Sequence, residues 1–139
     1  MTEDIKRSII EKLASANVPN VREYVDPKTG TKFVIKMSSN LSEIVKIMTI
    51  SDETKAKYSR LYVEGEAQEI DPTVVEMCYR LVHTTYAEDG DRKVYMTMED
   101  WLFLSLHRAD LIFALNAEIS DMLLSSVNSK SPFPLASQI

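Results

Sequence analysis

Few residues of this 139-residue chain combine a reactive type with a useful spacing, and those few are scattered. The two histidines, His83 and His107, fall in separate apolar, helix-patterned segments. A lone histidine there is expected to be a structural, hydrogen-bonded residue, because acid–base catalysis needs a partner group within reach. Cys78 is the one cysteine, so it can form neither an intramolecular disulfide nor a cysteine-rich metal site; it reads as a small buried apolar residue. The glycines at positions 30, 65 and 90 do not gather into a phosphate-cradling loop. No serine nucleophile elbow or His-Glu zinc motif occurs. Glu88-Asp89-Gly90-Asp91 is rich in oxygen ligands, but it lacks the alternate ligand positions and closing glutamate of a calcium loop, and it reads as a solvated turn. Lys32 and Lys36 share one face of an expected strand without interleaved aromatics, the pattern of a polar face rather than a nucleic-acid contact. No catalytic residue, cofactor or metal site is expected.

Charge points the same way. The net charge is −5, and its distribution is uneven. The first seventy residues carry 11 basic and 11 acidic side chains, the remainder 5 and 10. The acidic half is also the more apolar one. Such a surface suits a protein partner with apolar and basic features better than a phosphate backbone, whose grip rests on cationic side chains. No apolar run reaches the roughly 18–20 residues needed to cross a bilayer, and the N-terminus lacks a signal peptide's hydrophobic stretch. The expectation is therefore a cytoplasmic protein that contacts neither nucleic acid nor membrane.

The elements that would position a contact surface can be read in order. Residues 2–16 form an amphipathic helix with Thr2 as its N-cap, Ile5, Ile9, Ile10 and Leu13 on one side, and a turn at Asn17-Val18-Pro19-Asn20. Residues 21–37 read as a hairpin about Asp26-Pro27-Lys28-Thr29-Gly30, with Phe33, Ile35 and Met37 facing one way and Lys32 and Lys36 the other. Two strands alone are marginal, so this ribbon must lie on helices or pair with a strand at Val94. A helical stripe follows at Leu41, Ile44, Val45, Ile47 and Met48. Ser51-Asp52-Glu53 opens another helix with Ala56, Leu61 and Tyr62 as its apolar positions; Glu64–Glu69 is a mobile surface loop. Asp71-Pro72 opens a helix extending to Thr85.

The organising stretch is 87–127. Asp89-Gly90 supplies a turn, Val94 and Tyr95 a brief strand, and Thr97 with Asp100 a reciprocal helix cap. Leu104, Leu111, Leu115 and Met122 share one helical face, and Ile112, Leu115, Ile119 and Met122 an overlapping one, while Trp101, Leu102, Phe103 and Leu106 crowd the rest. This is either one central helix or two broken near His107–Asp110. Its apolar excess is either core or a surface buried against another chain. Trp101, Phe103, Leu104, Ile112, Leu115, Ile119 and Met122 are the candidate contact residues, for a client or for self-association.

The order of an apolar helix ending at Leu81-Val82, the acidic turn 88–91, the Val94-Tyr95 strand and Thr97-Met98-Glu99-Asp100 opening a long helix resembles the tail assembly chaperones of long-tailed bacteriophages, over roughly residues 20–127. The helix at 2–16 is longer than that pattern leads one to expect, and basic residues are scarce after Arg108. The resemblance implies a non-enzymatic protein of the host cytoplasm. It would bind and keep in solution the tape measure protein, help recruit major tail tube protein, self-associate as a ring or helical array, and be absent from the mature virion. The competing readings are a tail-completion, neck or adaptor protein retained in the particle, a small regulatory or nucleic-acid-associated helical domain, and an enzyme. The fold expected is α+β and mostly α-helical, with five or six helices and a small antiparallel β-ribbon. Residues 1–128 would form one globular domain, with a helical bundle at 41–127 and a flexible tail at 129–139.

Overall fold

In the computed structural model, residues 2–16 and 20–128 are described. The turn expected at 17–19 and the tail expected at 129–139 lie outside them. The described elements are α1 (Thr2–Ser15), β1 (Asn20–Val25), β2 (Lys32–Met37), α2 (Leu41–Met48), α3 (Asp52–Lys57), β3 (Arg60–Val63), β4 (Glu66–Glu69), α4 (Pro72–Thr84), β5 (Thr85–Asp89), β6 (Arg92–Val94), α5 (Met98–His107) and α6 (Ala109–Asn128). The fold is α+β and mostly helical. Among the described residues no helix is long and apolar enough to cross a membrane.

The helices start where short polar side chains can take up orphan amides. Asn40 Oδ1 accepts from the Ser42 and Glu43 amides, and Ser51 Oγ from that of Thr54. Asp71 accepts from the Thr73 amide at 2.8 Å, with Pro72 next in the first turn. α1 begins at Thr2 itself, which is therefore a helical residue rather than the cap.

Four strands form one antiparallel sheet in the order β1-β2-β5-β6, and β3 and β4 form a separate hairpin. The expected ribbon is thus joined to the Val94 strand, but through β5, a strand that the helix-like run to Thr85 concealed. Two further readings are corrected. Leu61 and Tyr62 lie in β3 rather than on a helix, and 64–69 is turn and β4 rather than a loop, so the segment 41–127 is not all helical. The hairpin closes through Glu64 and Gly65, both at positive φ (52° and 84°). That pair of values belongs to a type I′ turn, whose twist matches the flanking strands. Ile70 N–H donates to Ser59 O at 2.8 Å and extends the ladder.

One face of the four-stranded sheet is the floor of the core. Phe33, Ile35, Met37 and Ala87 meet Val75, Cys78 and Leu81 of α4, Met98, Trp101 and Leu102 of α5, and the buried face of α6. The Phe33 and Trp101 rings lie 6.0 Å apart, within the range of favourable aromatic pairs. Val34 and Tyr86 are buried on the other face. Lys36 and Lys93 lie over the Tyr86 ring at 5.7 and 5.3 Å, and Tyr95 lies against it.

Candidate functional site

The run after Asp110 that looked too apolar for one domain is mostly interior. Trp101 and Leu115 are 0% exposed, and Ile112, Ile119 and Met122 are buried with them. Leu104 is partly buried against the same core. α6 carries this burial at positions 111, 112, 115, 116, 119 and 122, a face broad enough to meet α4 and α5 together. The five buried residues therefore present no surface in the folded chain, and the expectation that they contact other chains is corrected on that ground. Of the seven candidates only Phe103 stays substantially exposed, at 46%.

The break between α5 and α6 falls at Arg108, and one ion cluster holds it. The Arg108 guanidinium grips the Asp26 carboxylate with two bonds, Nη2–Oδ1 at 2.6 Å and Nη1–Oδ2 at 3.1 Å. It also donates to Asp110 through Nε at 3.0 Å. Asp26 is 2% exposed and accepts further bonds from the Thr29 hydroxyl and amide. The Arg108 side chain, and then the Thr29 hydroxyl, hold the Asp26 carboxyl well below its usual range; Arg108 likewise lowers Asp110 to about 2. This clamp ties the β1–β2 turn to the helix break across 82 residues of sequence. Nothing local in the sequence pairs the two, although a cation at the suspected break was a visible hint.

The turn and cap residues sit in the roles their spacing implied. Asp89 ends β5 and pairs with Arg92 at 2.9 Å. Gly90 takes φ 62° in the β5–β6 connection, where a β-carbon would be strained. Thr97 Oγ1 accepts from the Asp100 amide at 3.2 Å, and Asp100 Oδ2 from the Thr97 amide at 2.9 Å, a complete capping box.

Other reactive types are dispersed. His83 and His107 are exposed rather than enclosed by apolar groups; His83 meets Tyr79 edge to face and His107 meets Phe103 at a tilt, with ring centres 4.5 and 4.6 Å apart. Cys78 is buried, and burial pushes its thiol up to about 12. Lys32 bridges Glu23 and Glu88 across the sheet at 3.0 and 3.6 Å. Among the described residues no three His, Cys, Asp or Glu side chains gather as a metal site.

What remains uncovered is apolar. Every described residue of α1 is exposed, including Ile5, Ile9, Ile10 and Leu13. On α6 Phe113 is 65% exposed, and Leu124 points outward on the same side. Between β3 and the first turns of α5 lies a cleft of about 410 Å³ walled by Leu61, Tyr62 and Phe103, with Glu64, Glu99 and Asp100 at its margin. The sequence does not disclose this cleft, because it depends on Tyr62 lying in β3, and the polar β4 beside it carries no alternation that marks the hairpin. No family model, curated protein or solved structure matches the chain.

Proposed function

We propose that this chain works by binding other protein chains, as a non-enzymatic tail assembly chaperone. It would hold a long helical client of the tape measure type in solution, help bring tail tube subunits to it, self-associate, and act in the host cytoplasm. The observation that carries the reading is the apolar surface left open: the whole stripe of α1, the Tyr62–Phe103 cleft and Phe113. Scattered exposed apolar residues are ordinary, but a complete helical stripe without cover marks a contact surface. The succession of acidic turn, short strand and capped helix from Glu88 to Asp100 supports the same reading. The contact residues move accordingly, from the buried side of α6 to α1 and the outer side of α5.

Co-expression with the long coiled-coil product of a neighbouring gene tests this. The client is expected in the soluble fraction only when this chain is present, and particles purified to maturity are expected to lack the chain. A client equally insoluble with and without it overturns the reading. Retention of the chain in finished particles replaces it with a structural, tail-completion role.

A further inference from the structure

α1 has fourteen residues, and an isolated helix of about that length is marginal in water. Its sequence nevertheless keeps one apolar face, Ile5, Ile9, Ile10 and Leu13, in which the row Ile5, Ile9, Leu13 drifts by about 40° at each step around a helix of 3.6 residues per turn. Lys12 borders this face beside Ile5, Lys6 lies within it between Leu13 and Ile10, Glu3 borders its other side, and Asp4, Arg7 and Glu11 occupy the remaining side. The body carries the complement. The β3–α5 cleft has an apolar wall of Leu61, Tyr62 and Phe103 and a carboxylate margin of Glu64, Glu99 and Asp100. Among the described residues neither the two lysines nor these three carboxylates have an ion-pair partner. Charge therefore matches: an aliphatic face that carries Lys6 and Lys12, and an aliphatic–aromatic cleft with carboxylates at its margin.

We infer that α1 of one copy of this chain docks in the β3–α5 cleft of a second copy. The inference rests on the self-association proposed above and names its contact. Within one chain the two halves do not meet: every described residue of α1 is exposed, and the cleft stands open. The helix binds apolar side down, in the groove-binding mode that amphipathic helices use. The rim pairs set its direction and partner more than its affinity. Each copy offers one helix and one cleft, so the contact is heterologous and propagates into a ring or an open array.

Sedimentation velocity over a concentration series tests this on the full chain. Ile9→Asp with Leu13→Asp removes the helix half, and Phe103→Asp removes the cleft half. All three positions are exposed, and circular dichroism with a thermal melt verifies that each variant folds. Each variant alone is expected to be monomeric, its association weakened at least tenfold. Mixed, the two are expected to form a one-to-one dimer that grows no further, because only one good helix and one good cleft meet. Lys12→Glu is expected to weaken association and Glu99→Lys to restore it in the double variant. Wild-type oligomers that survive both halves overturn the inference while leaving self-association standing. A wild type that stays monomeric at high concentration overturns both. Fast-exchanging α1 amides at low concentration that become protected as oligomers form support docking between copies; protection independent of concentration overturns it in favour of docking within one chain.

Discussion

At the scale of single residues, the Asp26–Arg108 pair shows how a contact across 82 residues can decide a helix boundary. A nearly buried carboxylate is tolerated because five donors' worth of guanidinium geometry matches it with two parallel bonds, and Thr29 supplies more. Both Asp26 and Asp110 have folded-state pKa values depressed below the ordinary 3.8. Their contribution to stability is thus present above about pH 4 and is lost as the pH falls toward 2 and below. The chain is expected to lose thermal stability progressively over that window. Arg108→Gln is expected to be less stable at pH 7 and to show a shallower acid dependence, read from melting temperatures between pH 2 and 7. α6 provides a second contrast. Leu115→Ala is expected to destabilise by roughly 2–5 kcal/mol, by lost transfer energy and a cavity, whereas Phe113→Ala, on the open face, is expected to stay within about 0.5 kcal/mol of wild type. Urea unfolding of the two variants verifies the order. For the same reason Leu115→Glu or Ile119→Glu is expected to unfold the chain rather than to separate folded copies.

At the scale of elements, the β3–β4 hairpin is held by a turn that its own residues only half suit. Gly65 adopts positive φ freely, but Glu64 at φ 52° carries the strain of a side chain in the left-handed region. Asn-Gly is the preferred pair for a type I′ turn. Glu64→Asn is therefore expected to stabilise the chain by roughly 0.5–1 kcal/mol, seen as a rise in melting temperature, since the left-handed conformation costs a typical residue about 1–2 kcal/mol. The same strain explains why the hairpin was hard to read. Glu-Gly between Val63 and Glu66 is a weak turn signal, and β4 is polar throughout (Glu66, Ala67, Gln68, Glu69), so no alternation marks it as a strand. β5 was hidden for a different reason. α4 passes into it at Thr84–Thr85 without glycine or proline, and its first three residues are all buried, so period-two alternation is lost.

At the scale of the whole molecule, the body and α1 are organised differently. The body, from β1 to α6, has one continuous core built on one face of the sheet. α1 contributes nothing to it, since all its residues are exposed. Deleting residues 1–16 is accordingly expected to leave the unfolding free energy of a dilute sample unchanged within about 0.5 kcal/mol, measured by denaturant titration. A substantial loss of stability would show that the helix is cohesive with the rest.

The mixed fold class, the first hairpin, the Asp71-Pro72 helix start, the Gly90 turn and the Thr97–Asp100 cap were legible in the chain, because each depends on residues close together in sequence. Local dihedral preference and local hydrogen bonds decide such features, and a window of four or five residues contains their causes. Which apolar side chains are inside, and which are offered to a partner, was decided only in three dimensions. Leu115 and Phe113 are near neighbours of similar hydrophobic character on one helix, yet one is fully enclosed in the core while the other is left largely exposed. Periodicity shows that α6 has faces; only the packing of distant elements determines which of them is covered.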